Sequence, residues 1–205
     1  MPKETFLNLK EDKKQKIIDA TIKELSLHPY EHVNLANIIR DAGIARGSFY
    51  QYFENKDDLY LFFGMHIAQK KGEMFKDIFD MSNPMSFLIR FKKLFLRGFD
   101  FARAYPDLVQ AGYHMVQSEL FRSSTMYQQS YQSGLQFFEH LIKLDQDKGL
   151  IRKEIDASFL AEMILSYMNS LNLSYYMQPK ESMETIEKKV DNIIDILAKG
   201  IETHV

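Results

Sequence analysis

The chain has 205 residues, 45% of them apolar and 26% charged, and a formal net charge of −2, which fits a globular protein of one or two domains and announces no bulk affinity for nucleic acid. It has no cysteine, which excludes disulfide scaffolds, thiolate zinc sites, iron–sulfur clusters and cysteine nucleophiles. The longest apolar run, Leu59 to Ala68, is broken by Gly64 and His66 and falls short of the roughly 18 residues of a membrane span. The first twenty residues, rich in Lys, Glu and Asp, do not form a signal peptide, so a cytoplasmic protein with no membrane partner is expected.

Apolar residues recur near a 3.6-residue period along the whole chain, which predicts an all-α fold of about nine helices. The first carries Ile18, Ile22 and Leu25 and ends before Pro29. A short helix follows over Leu35–Ala42, with Asn34 as N-cap and Gly43 just past its end. A second short helix, Arg46–Phe53, starts two residues later. Asn55 then caps a long helix from Lys56 to about Asp80, with Asp57 and Asp58 in its first turn. Asn83–Pro84 opens a helix striped by Leu88, Phe91, Phe95 and Phe99. Pro106 starts a shorter one. Ser123 or Ser124 opens a long helix that Gly149 closes. Asp156 caps a helix running to about Met177, and the last helix spans about Ser182–Thr203. A three-helix unit over residues 1–56 is expected, joined through the helix of about 56–80 to a larger bundle over 81–205.

Two short helices joined by the tight turn Gly43–Ile44–Ala45 have the layout of a helix-turn-helix. In that motif the second helix enters the major groove. Arg46, at its start, can donate two hydrogen bonds to guanine O6 and N7. Gly47 lets backbone approach DNA closely. Ser48, Tyr50, Gln51 and Tyr52 offer uncharged donors and acceptors, and Lys56 stands at a helix N-terminus suited to an anion.

The run Asn34-Leu-Ala-Asn-Ile-Ile-Arg-Asp-Ala-Gly-Ile-Ala-Arg-Gly-Ser-Phe-Tyr-Gln-Tyr-Phe-Glu-Asn-Lys-Asp-Asp-Leu59 resembles the signature of the TetR family of bacterial transcriptional regulators. Its most specific part is Gly47 to Leu59. The resemblance implies DNA contacts by Ala45, Arg46, Gly47, Ser48, Tyr50, Gln51, Tyr52 and Lys56, with Asn34 grouped beside them as the cap. Tyr50 and Lys56 would hold phosphates; Arg46 and Gln51 would read bases. Ala45 stands where the family usually has Ser or Thr as cap, a loss of about 1 kcal/mol locally. Residues 1–60 hold 9 Lys and Arg against 10 Asp and Glu, so the basic surface is local: Lys10, Lys13, Lys14, Lys16, Arg40, Arg46 and Lys56.

The resemblance also implies a ligand-binding and dimerisation domain beyond about residue 80. Its last two helices would pair with those of a second copy, with Phe159, Met163, Leu171, Ile186, Val190, Ile193, Ile194 and Leu197 as interface candidates. The residues proposed for a pocket are Phe91, Phe95, Phe99, Tyr105, Tyr113, Tyr127, Tyr131, Met163 and Tyr167, which suit a small hydrophobic or aromatic effector. No nucleophile, nucleotide fingerprint or metal-ligand spacing is present, so no catalytic site, metal or cofactor is expected. The expected function is a dimeric, ligand-responsive repressor on a near-palindromic double-stranded DNA operator. The alternative is a helical small-molecule-binding protein that does not bind DNA.

Overall fold

The computed structural model describes residues 2–176 and 182–201, with the side chains of 170–176 and 183 left out of the description. Among the described residues there are eleven α-helices, one 3-10 turn and no strand. They are α1 (Glu4–Leu7), α2 (Glu11–Leu27), the 3-10 turn Tyr30–His32, α3 (Leu35–Asp41), α4 (Arg46–Tyr52), α5 (Lys56–Phe79), α6 (Phe87–Ala104), α7 (Pro106–Gln117), α8 (Glu119–Arg122), α9 (Thr125–Asp147), α10 (Ala157–Tyr176) and α11 (Met183–Ile201). The all-α expectation holds. Nine of the eleven are the helices read from the period; α1 and α8, four residues each, are too short to show one.

The chain divides into two compact units: 1–73 with 104–124, and 74–103 with 125–205. In the first, α2 packs against α3 and α7. Its core holds Ile17, Leu25, Ile38, Phe49, Phe53, Leu59 and Phe63. Asn34 caps α3 by accepting from the Ala36 N–H at 2.9 Å. The buried Glu24 carboxylate accepts from Asn34 N at 2.8 Å and Asn37 Nδ2 at 3.2 Å, tying the start of α3 to α2. The end of α3 is a Schellman motif: Gly43 at φ +65° donates to Arg40 O at 3.0 Å and Ile44 N to Ile39 O at 3.2 Å. His114 on α7 donates through Nδ1 to Leu25 O at 2.8 Å, joining α7 to the end of α2.

The second unit contains α6, α9, α10, α11 and the last turns of α5. Gly149, at φ +73°, closes α9 with the same paired bonds, Leu150 N to Asp145 O at 2.8 Å and Gly149 N to Gln146 O at 3.1 Å. Asp156 caps α10 by accepting from Phe159 N at 3.0 Å. One expectation is corrected: Asn83–Pro84 does not open α6, which begins at Phe87. The buried Arg90 guanidinium donates to the carbonyls of Ile78, Asp80 and Asn83, holding 80–83 as a turn. Phe87 N donates to the buried Asp145 carboxylate at 2.6 Å, which starts the helix there.

Candidate nucleic-acid interface

The turn Gly43–Ala45 delivers the chain directly into α4. Ala45 makes no side-chain cap to it, so the free N–H groups of the first turn stay available to an outside acceptor. One face of α4 is anchored: Phe49 and Tyr52 are buried on it, and Phe53, just past its end, lies in the core against Phe49 at 5.6 Å between ring centres. The opposite face carries Gly47, Tyr50 and Gln51, and Arg46 stands at the start of the helix; all four are exposed, with Tyr50 44% accessible. At 3.6 residues per turn positions 49, 52 and 53 share one side and 47, 50 and 51 lie away from it, while Arg46, one turn before Phe49, borders the buried side and is exposed at the uncapped start of the helix. A Cβ on Gly47 would meet nothing within 4 Å, so packing within the chain does not require glycine there.

The other predicted residues are placed as follows. Ala45 is exposed and Ser48 half-buried. Asn34 is exposed but spends its side chain on capping α3. Tyr52 does not share the outward face: its ring is 5% accessible, 6.2 Å from the ring of Phe6, with Lys13 Nζ 5.5 Å from its centre. Lys56 is half-buried and turned back, its Nζ donating to Tyr30 O at 3.1 Å and lying 4.2 Å from the Tyr30 ring centre. The N-terminus of α5 is capped from within by Asn55, which accepts from Asp58 N at 2.9 Å. Burial and the hydrogen bond to Asp57 push the Tyr30 phenol well above its ordinary value, so it stays protonated. Of the basic residues, Lys10, just before α2, and Lys13 and Lys16 on it are exposed, whereas Arg40 is engaged by Asp41 at 2.9 Å. Residues of segment 3–6, Lys3 and Thr5, hold the carbonyl end of α4. This was not legible in the sequence, because a four-residue helix carries no period.

The candidate pocket residues divide between the units. Tyr105 and Tyr113 lie in the first, and the other seven in the second. Phe91, Phe95 and Phe99 form a ladder along α6, with ring centres 6.0 and 5.6 Å apart. Phe91 and Phe99 are buried, and Phe99 packs with Ile186 and Val190 of α11, so this stripe is core. Tyr127 and Tyr131 are half-buried, while Met163 and Tyr167 are exposed. A hollow of about 510 Å³ on the second unit is lined by Thr125, Gln128, Gln129, Gln132 and Ser133 of α9, all polar and none of them predicted.

The dimer candidates divide as well. Ile186 and Val190 are enclosed in the chain's own core and cannot also face a second copy. Ile194 packs at the edge of that cluster, and Ile193 and Leu197 are half-buried. Phe159 is 67% accessible and Met163 43%, and with Tyr167 they form an exposed row at four-residue spacing on α10. Ile196, 71% accessible on α11, was not among the candidates. Leu171 lies outside the described side chains.

Residues 17–61 match the model of bacterial regulatory proteins of the tetR family. No curated protein matches the sequence. Among solved structures, a TetR family transcriptional regulator from Chloroflexus aurantiacus is similar with a TM-score of 0.80 at 24% identity, covering 100% of both chains. FadR from Bacillus subtilis, solved with stearoyl-CoA, matches with a TM-score of 0.69 at 20% identity, covering 92% of this chain and 99% of its own. NalD from Pseudomonas aeruginosa, the secondary repressor of the MexAB-OprM multidrug efflux pump, matches with a TM-score of 0.71 at 16% identity over 95% and 98% of the two chains. Residues 17–61 therefore match the tetR-family model of bacterial regulatory proteins, and the chain has the fold of the TetR-family structures it resembles.

Proposed function

We propose that the protein is a DNA-binding transcriptional regulator that acts as a homodimeric repressor. The observation that carries this reading is the exposed side of α4, where Gly47, Tyr50 and Gln51 face outward and Arg46 is exposed at the start of a helix whose other side is locked by Phe49 and Tyr52, with Phe53 behind it. Arg46 makes no ion pair or side-chain hydrogen bond among the described residues, so its guanidinium is free to pair bidentately with guanine. The bare Cα of Gly47 lets the backbone approach the groove. Tyr50, with the lysines of α2, supplies phosphate contacts, and Gln51 a second base reader. Tyr52 and Lys56 act from behind: the one supports α4, the other fixes the 3-10 turn to α5. The DNA-binding domain is 1–56, α5 is the connector, and 81–205 binds the effector and dimerises.

A two-fold dimer would present two recognition helices about 34–36 Å apart to a near-palindromic operator. Phe159, Met163, Tyr167 and Ile196 are the apolar surface offered to the second copy. The effector is a small hydrophobic or aromatic molecule, a reading supported by the similarity to FadR, solved with stearoyl-CoA. It releases DNA by binding one position of α5 better than the other, because a ligand indifferent to both states shifts nothing. The test is binding to the DNA flanking the protein's own gene. Wild type should bind tightly and lose affinity with salt; Arg46→Ala should weaken binding by about 1–3 kcal/mol and relax selectivity at one base position. Binding indifferent to Arg46→Ala would instead favour a ligand-binding protein without DNA.

A further inference from the structure

The last four carbonyls of a helix have no partner inside it. In α4 these belong to Phe49, Tyr50, Gln51 and Tyr52, and all four are taken. Phe49 O accepts from Phe53 N at 2.9 Å. The other three are served by segment 3–6: Tyr50 O accepts from Lys3 Nζ at 2.9 Å, Gln51 O from Thr5 Oγ1, and Tyr52 O from Lys3 N at 2.8 Å. Lys3 Nζ also pairs with Glu54 at 3.1 Å, and its charge suits the negative end of the helix dipole. The segment is pinned by Phe6, 2% accessible, whose ring lies 4.9 Å from Phe53 and 5.0 Å from Phe62.

The opposite end of α4 has no such hold, since Ala45 contributes no cap. A seven-residue helix is also well short of the roughly 12–15 residues at which isolated helices become even marginal. The two residues whose carbonyls are gripped by side chains, Tyr50 and Gln51, are the ones whose side chains face outward in the last turn. We infer that segment 3–6 is the C-terminal cap of α4, and that Lys3 and Thr5 are positioning residues for DNA binding, acting through Tyr50 and Gln51 without touching DNA. This rests on the DNA-binding reading above. It separates Lys3 from the phosphate-binding lysines, because its ammonium is committed to Tyr50 O and Glu54.

The experiment uses the whole chain as wild type, Thr5→Val, Thr5→Ser, Lys3→Met and Arg46→Ala. Amide hydrogen exchange is followed across 46–53 and, as control, 11–27. Binding to the DNA flanking the gene is measured at two salt concentrations. Thr5→Val keeps the side chain's shape and removes the donor. It should speed exchange at 50–53 by up to about tenfold, the scale of one net hydrogen bond, and leave α2 unchanged. Operator affinity should fall several-fold at an unchanged salt slope. Lys3→Met should act the same way, and Thr5→Ser should restore both readouts. Unchanged exchange in α4 for both Thr5→Val and Lys3→Met would overturn the cap. Faster exchange with unchanged affinity would overturn the positioning role. A salt slope reduced by about one in Lys3→Met would make Lys3 a direct phosphate contact and overturn its assignment. Faster exchange in a protein whose wild type binds no DNA would refute the DNA-binding reading and leave the cap standing.

Discussion

Single residues set the geometry of the helix-turn-helix, and each makes a separable contribution. Gly43 sits at φ +65° with nothing within 4 Å of where a Cβ would stand. Gly43→Ala should therefore cost only the left-handed backbone penalty of about 1–2 kcal/mol, read as a lower unfolding midpoint. Ala45→Ser supplies the cap that α4 lacks and should stabilise it by about 1 kcal/mol. Asp41 gives a pH dependence. The Lys23 ammonium, then the Arg40 guanidinium, holds its carboxyl below the usual carboxylate range. Its folded value is depressed, so the stability it contributes is present above its unfolded value of about 4 and is lost as pH falls through the folded value. Asp41→Asn should flatten that acid limb in a denaturation series and leave neutral-pH DNA contacts in place.

At the scale of elements, the helices that carry several turns were legible, because a buried face repeats every 3.6 residues over enough length to be seen. Asn34, Gly43, Asn55, Gly149 and Asp156 marked ends correctly because capping is local chemistry between near neighbours. The start of α6 was not local. It depends on Asp145, 58 residues away, and on Arg90 reaching back to carbonyls 78, 80 and 83. Arg90→Met should strand those carbonyls and loosen the α5–α6 turn, seen as faster hydrogen exchange at 80–90. Aromatic function was the least legible. Phe91, Phe95 and Phe99 show one helical stripe whether they line a pocket or pack a core, and contact with α11 assigns Phe99 to the core. The outward residues of α4 were legible because burial of 49, 52 and 53 fixes what is left. The burial of Tyr52 was not legible, because Phe6, whose ring packs against it, lies on a helix too short to read.

For the molecule as a whole, the division between core and exposed apolar surface bears on assembly. Val190 is fully enclosed and Phe159 is 67% accessible. Val190→Asp should lower thermal stability sharply in any assembly state, because it buries a charge without a partner. Phe159→Asp should leave the fold intact and shift a sedimenting dimer toward monomer. With a net charge of −2, the proposed attraction to DNA would not come from bulk charge; it would have to be concentrated on α2 and α4 and doubled by the proposed second copy. The measurement that tests this account most directly is a salt-dependent titration of wild type and Arg46→Ala against the DNA flanking the protein's own gene. The account predicts tight, sequence-selective binding by wild type, weakened by salt and reduced by about 1–3 kcal/mol in Arg46→Ala. Weak binding that is equal for wild type, Arg46→Ala and scrambled DNA would contradict it.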